Sequence, residues 1–288
     1  MIETFGGFLT AKSLQKYLFL FTRQQTEKSF DFIPYRYGCF SFQANQDVCT
    51  LEKYGYIEIA EGENGRHIKL NRPGQYITML DLFDHQALLD VKEQFGKMSQ
   101  QELIGYTYRH YPYYATKSTI AESLLTKEEL TIVEKQKRVY NEPVLFSIGY
   151  EGISLETYIN RLILNDVHVL CDVRKNAYSQ KYGFSKSQLQ KACEGVGIRY
   201  EHVSDLGIES EQRQHLRSQT DYDLLFERYE QTTLIKNREA LMHLRSLLDT
   251  DKRIAVTCFE KDPAQCHRTR VANALMKLPD RTYELKNI

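Results

Sequence analysis

The chain has no tryptophan, six prolines and six cysteines in 288 residues, and no net charge, since 38 lysines and arginines balance 38 aspartates and glutamates. The balance excludes a global electrostatic pull toward nucleic acid and leaves room only for a local basic face. No apolar run reaches the roughly 20 residues of a membrane helix, and the start has no basic segment followed by an apolar one, so neither a membrane partner nor a secretory leader is expected. Six cysteines without a leader exclude a secreted disulfide framework and point to reduced thiols in a cytoplasm. No C-x-x-C pair occurs, and the wide spacing of Cys258, Cys266 and His267 is poor for zinc, so no metal is expected. Internal repeats and low-complexity tracts are also missing. What is present is ordinary hydrophobic content, 42%, and a length that suggests two domains. Twenty tyrosines stand out, many of them between Tyr106 and Tyr114. Interleaved with Arg109 and His110 they have the composition of a base-stacking surface. The reading preferred here is a packing segment joining two domains, because tyrosine buries its ring while solvating its hydroxyl.

The expected organisation is a smaller α+β domain over 8–114, a polar linker over 115–142 and an α/β domain over 143–288. In the first half, Leu14, Tyr17, Leu18 and Phe21 follow helical spacing within a helix from Thr10 to about Gln25. An extended stretch follows over Phe30–Tyr37, then a second helix over Ser41–Tyr54. Gly55–Ala60 and Arg66–Leu70 flank an Asn-Gly step that signals a hairpin with its tip near Asn64. Helix, helix and hairpin in this order resemble a winged helix, with Arg66, His67 and Lys69 as nucleic-acid-binding candidates on the wing. The second helix carries only Lys53 as a basic residue, against Asp47 and Glu52, which counts against major-groove reading. Leu14-Gln15-Lys16, Tyr37-Gly38-Cys39-Phe40-Ser41 and Leu51 through Ile57 are similar to elements of a bacterial group related to the Panacea antitoxin domain, with Cys39 where that group tends to have proline.

The second half alternates strand and helix, which predicts a mainly parallel sheet with flanking helices. Strands are expected at Val144–Gly149, Val167–Val173, Ile198–Val203 and Arg253–Phe259, with an edge strand near Tyr283–Leu285. Helices are expected at Ser154–Leu164, Ser185–Val196 and, in two pieces, Asp221–Leu248. Ligands of such sheets bind outside the C-terminal strand ends. Three strand ends there carry chemistry: Gly149-Tyr150-Glu151-Gly152, Asp172-Val173-Arg174-Lys175, and Cys258 through Arg268. Asp262 as N-cap and Pro263 at the first helical position place Cys266, His267 and Arg268 in the opening turns of a helix, where backbone N–H groups favour an anion or a thiolate. Gly149, Tyr150, Arg174, Lys175 and Arg268 are therefore the ligand-binding candidates, for a phosphate-bearing or other anionic ligand. Cys266, His267, Glu260 and Asp172 are the catalytic candidates, with Cys266 the nucleophile. Cys171 and Cys258 are read as inert core residues. Three plainer readings stay open: an Asp172–Arg174 structural ion pair, Gly149 and Gly152 serving a turn, and Cys266 packing helix against sheet.

The motifs Ser147 through Gly152, Asp172 through Asn176, Gly183-Phe184-Ser185-Lys186, Gly197 through Tyr200, Leu206-Gly207 and Cys258 through Arg268, in this order over about 144–278, resemble the family called domain of unknown function 488. The resemblance implies an α/β domain in a prokaryotic cytoplasmic protein, and no settled activity or cofactor. A cysteine-phosphatase loop is excluded, because the position six residues after Cys258 is Ala264 and that after Cys266 is Ala272, where an arginine is needed. The loop that a rhodanese-like site needs is missing as well. The functional expectation is a nucleic-acid-associated enzyme or sensor with a phosphate-binding α/β domain. The alternative is a non-catalytic regulatory or protein-interaction module of antitoxin-like type.

Overall fold

The computed structural model describes residues 1–63, 65–213, 216–279 and 283–288. The chain divides into two units, Met1–Lys137 and Arg138–Ile288.

In the first unit, Thr10 caps α1 (Ala11–Thr22), accepting from the Ser13 amide, after the short strand β1 (Phe8–Thr10). Strands β2 (Ile33–Tyr35) and β3 (Gly38–Phe40) pair antiparallel, and Ser41 then caps α2 (Phe42–Lys53). The hairpin of β4 (Ile57–Gly62) and β5 (Gly65–Leu70) follows, with β1 on the far side of β5. Its expected tip, Asn64, lies outside the described residues. The Leu-Gln-Lys and Gly-x-Phe-Ser elements explain one another. Gln15 donates to the Ser41 carbonyl (3.1 Å) and accepts from its amide (2.8 Å), and the buried Lys16 Nζ donates to the Cys39 carbonyl (2.9 Å). Gly38 has φ +89° and lies against the Tyr108 ring, so a side chain there is excluded twice over.

Helices α3 (Leu82–Phe95) and α4 (Gln100–His110) close this core. The tyrosine-rich segment packs within the unit: Tyr111 and Tyr114 meet Phe19 edge-on at 5.0 and 4.6 Å. The stretch 115–142, expected as a linker, is mostly folded instead. Helix α5 (Ala121–Leu124) and helix α6 (Lys127–Glu134), which Thr126 caps, pack with Ala121, Leu125 and Val133 buried, and the division falls after Lys137. Burial of these few apolar side chains outweighs the polar composition that suggested a connector.

The second unit is an α/β layer. Its strands are β6 (Val144–Gly149), β7 (Val169–Asp172), β8 (Arg199–His202), β9 (Arg253–Cys258) and β10 (Glu284–Asn287). They form one all-parallel sheet in the order β10-β6-β9-β7-β8. The central strands β6, β9 and β7 are covered on both faces, as near-continuous apolar runs require. Helices α7 (Leu155–Leu164), α8 (Lys186–Glu194), α9 (Gln219–Tyr229), α10 (Arg238–Asp251) and α11 (His267–Met276) connect them. A π-turn, Glu230–Leu234, follows α9, so the helical stretch comes in pieces. From β6 the chain crosses to β7, beyond β9, whereas from β9 it returns past β6 to β10. Neighbouring strands that send their connections in opposite directions leave a crevice outside their C-terminal ends. Gly149 pairs with Cys258 and Asp172 with Thr257 at that edge.

Candidate functional site

A cleft of about 370 Å³ opens at this edge. It is lined by Tyr150 after the end of β6, by residues 174–176 and 178–181 of the loop after β7, by Ile208 and Arg213, and by Cys258, Phe259, Glu260 and His267. Tyr150, Arg174, Lys175, Glu260 and His267 are thus brought together as expected from the sequence. Gly149, Asp172, Cys266 and Arg268 lie behind the lining.

Asp172 organises one wall. It is fully buried, and its carboxylate accepts from Arg174 Nε (2.8 Å), from the Arg174 amide (3.1 Å), from the second guanidinium arm and from the Tyr200 hydroxyl (2.7 Å). Four donors leave it as the anchor of Arg174 rather than a free base. Arg174 then donates to the Tyr150 hydroxyl (2.6 Å), and the Tyr150 ring stacks on Phe184 at 4.2 Å. Burial acts against the charge on Arg174, but the hydrogen bonds and charge of Asp172 outweigh it and hold its pKa above the usual value. Burial, then the Asp172 charge, pushes the Tyr200 phenol up. Lys175 is outermost, paired with Glu209 at 2.9 Å. Lys181 Nζ donates to the Tyr150 carbonyl (2.9 Å), and the charge of Glu151 also acts on it. Burial lowers its pKa.

The opposite wall is the turn after β9. Asp262 does cap, accepting from the Ala264 amide, and Pro263 does start a helix, but only one 3-10 turn, Pro263–Gln265. The α-helix begins at His267, with Cys266 as its extended N-cap residue. This corrects the expected thiolate: Cys266 turns inward, is fully buried, and burial pushes its thiol well above the usual range. Cys258, read as inert, is the cysteine that reaches the cleft. Its Sγ lies 3.5 Å from His267 Nδ1 and 3.3 Å from Glu260 Oε2. The other nitrogen of His267 is 2.8 Å from the Val173 carbonyl, which only accepts, so Nε2 carries the proton and Nδ1 turns a lone pair toward Cys258. Glu260 is ion-paired with Arg213. Burial raises its carboxyl pKa, but the Arg213 charge and the neighbouring thiols outweigh that and leave it below the usual range.

Arg268 and Gly149, expected to hold a ligand, instead hold this turn. Arg268 is buried and donates to Ser147 Oγ (3.0 Å), to the Glu260 carbonyl and to the Lys261 carbonyl (3.3 Å). Gly149 is needed for that packing, because a Cβ on it would stand 1.9 Å from the Glu260 carbonyl oxygen. Gly207 plays the same part against Lys175, whose amide nitrogen would be 2.1 Å from a Cβ. Lys181 and Arg213 were not found from the sequence. Lys181 lies in a loop and Arg213 ends a 3-10 turn too short to show a period, so only the fold shows that they reach the cleft.

The basic candidates of the first unit are not gathered. Side chains alternate along β5, so Arg66 shares a face with the buried Ile68, while His67 and Lys69 share the other. Arg66 is also paired with Glu61 at 2.9 Å, and His67 stacks on Phe8. Among the described residues, no helix is long and apolar enough to cross a membrane.

No curated protein and no solved structure is significantly similar to the chain. Residues 154–275 match the family described as Domain of unknown function DUF488, a span that runs from the cap of α7 nearly to the end of α11 and includes β7, β8 and β9. With the central strands, the buried Asp172–Arg174 pair and the Cys258–His267 turn all falling in or beside that span, the second unit of the chain belongs to the DUF488 family.

Proposed function

We propose that the DUF488 unit binds a phosphate-bearing ligand in the cleft at the C-terminal strand ends. One observation carries this reading: among its described lining residues the cleft has the cations Arg174, Lys175, Lys181 and Arg213 against the single carboxylate Glu260. Arg174 and Arg213 are held rigid by Asp172 and Glu260, and rigid forks suit phosphate oxygens. Lys181 adds a cation whose electrostatic partner, Glu151, lies outside the cleft lining. Tyr150, backed by the buried Phe184, and Phe259 line the cleft with aromatic rings that suit a planar group attached to the phosphate, as in a nucleotide. The reading names a ligand class and leaves open whether the unit transforms the ligand or senses it.

The test is calorimetric titration of the full chain with inorganic pyrophosphate and with a nucleoside diphosphate. Saturable, salt-sensitive binding is expected, weakened about tenfold by Lys181→Ala, which corresponds to roughly 1.4 kcal/mol. Lys97→Ala, on an exposed position of the first unit, leaves it unchanged. Equal affinity in Lys181→Ala and the unmutated chain sinks the reading.

For the first unit we infer a winged-helix-like module that contacts protein rather than nucleic acid. This reading is favoured because its basic candidates are split between two strand faces and Arg66 is neutralised. The full chain is then expected not to retard short duplex DNA or single-stranded RNA, even at low salt, where phosphate contacts are strongest. Retardation that fades with added salt and is lost in Lys69→Ala contradicts this. Six cysteines without a disulfide suit a reducing, cytoplasm-like compartment for both units.

A further inference from the structure

Cys258, Cys266 and His267 form a cluster that the anion reading of the cleft does not use. They reach one point from different positions. Cys258 ends β9, Cys266 is the N-cap residue of α11, and His267 is the first residue of that helix. All three are buried, and one ligand atom from each lies within 4.8 Å of the others.

We propose that Cys258, Cys266 and His267 bind a zinc(II) ion at the floor of the cleft, with its fourth coordination position turned to the cleft.

The geometry fits. Tetrahedral zinc with Zn–S near 2.3 Å and Zn–N near 2.0 Å holds its ligand atoms roughly 3.5–3.8 Å apart. Cys258 Sγ and His267 Nδ1 are 3.5 Å apart. The other separations, at most 4.8 Å, close by about 1 Å through side-chain rotation to reach that range. The histidine is prepared in the way metal-binding histidines usually are. Its Nε2–H donates to the Val173 carbonyl, which fixes the ring and leaves Nδ1 as the free ligand nitrogen. The Tyr229 ring stands edge-on to it at 5.9 Å and limits its rotation. Charge also balances. The ion displaces two thiol protons, and two thiolates neutralise its +2 charge, so the buried centre carries no net charge. Two sulfurs and one imidazole are a soft ligand set that favours zinc over magnesium or calcium.

Three protein ligands with an open position are the arrangement in which zinc binds water or a substrate atom. Cys258 and His267 both line the cleft, which fixes the side on which that position opens. Glu260, beside Cys258 and tied to Arg213, stands at the same side. The rival arrangement is a Cys258 S–H to His267 Nδ1 hydrogen bond with Cys266 as packing. It predicts no metal affinity.

The full chain, expressed with added zinc and purified under reductant without chelator, is expected to carry about one zinc per chain by elemental analysis. Exchange for cobalt(II) is expected to give thiolate-to-cobalt charge-transfer absorption and the intense visible bands of a tetrahedral site. Cys258→Ser, Cys266→Ser and His267→Ala should each lower the bound metal at least tenfold, and Cys49→Ser, exposed and in the other unit, should not. The cobalt spectrum of the unmutated chain needs no variant to fold and so decides the matter by itself. A reduced, reconstituted chain without the charge-transfer band overturns the site, as does Cys49→Ser losing as much metal as Cys258→Ser. Pyrophosphate binding by a reconstituted chain that shows no cobalt band would leave the anion reading standing while this one fails.

Discussion

Replacing Asp172 with alanine is expected to cost the DUF488 unit about 3–5 kcal/mol, the range found when one partner of a buried ion pair is removed. The carboxylate is fully buried and accepts from both the guanidinium and the backbone amide of Arg174 and from the Tyr200 hydroxyl. Without it, a guanidinium whose side chain is 6% exposed keeps its charge with no counter-charge, and a buried phenol loses its acceptor. Arg174 would also release the Tyr150 hydroxyl, so the cleft wall should loosen along with the fold. Urea unfolding of the full chain measures the effect as a lower midpoint for the transition of this unit. Replacing Asp172 and Arg174 together with leucine is expected to cost less than the sum of the single changes, because no charge is then left unpaired. If Asp172→Ala unfolds at the same urea concentration as the unmutated chain, the pair is not the anchor described here and Asp172 returns as a candidate base.

Gly149→Ala should be comparably severe for a different reason. Its Cβ would stand 1.9 Å from the Glu260 carbonyl oxygen, 2.8 Å from the carbonyl carbon and 3.0 Å from an Arg268 nitrogen. The first two are backbone atoms, and the β6–β9 ladder fixes Gly149 opposite Cys258, so the clash can be relieved only by displacing the turn after β9. That turn carries Glu260 and the two carbonyls, of Glu260 and Lys261, that accept from Arg268. A cost near 3 kcal/mol is expected for such overpacking. In a domain of this size it lowers Tm by roughly 6–12 °C. Gly152→Ala is the control. Gly152 has φ +76° with nothing within 4 Å of a Cβ, so only backbone strain of about 1 kcal/mol is expected there. A Gly149→Ala chain melting no lower than Gly152→Ala would show that the close approach of β6 to the Glu260 carbonyl is not a constraint.

Most of the α/β architecture was legible in the sequence, because strands buried on both faces must be apolar throughout. The mostly apolar runs expected at Val144–Gly149, Val167–Val173 and Arg253–Phe259 hold the strands Val144–Gly149, Val169–Asp172 and Arg253–Cys258. The residues at their C-terminal ends were legible for the same reason: once the strands are parallel, their ends share an edge. What a side chain does at that edge was not. The Asp262–Pro263 signal was sound, yet it started a single 3-10 turn, and this small difference moved Cys266 inward and left Cys258 at the cleft. Arg268 and Gly149 looked like ligand groups because their partners are backbone carbonyls, which sequence does not reveal. The stretch 115–142 concealed two helices too short to show a periodicity, four and eight residues long. The split of the basic residues on β5 was available in advance, since Arg66 and His67 are neighbours in a strand and must face opposite ways.

The central claim is that the cationic cleft at the ends of β6, β9 and β7 takes a phosphate group. The most direct measurement is a crystal of the full chain soaked in tungstate, an anion that stands in for phosphate, and read by anomalous difference density. A peak within hydrogen-bond reach of Lys181 Nζ and the Arg174 or Arg213 guanidinium, removed by competing pyrophosphate, is the predicted result. Tungstate bound only outside this cleft, with the cleft accessible to solvent in the same crystal, would contradict it.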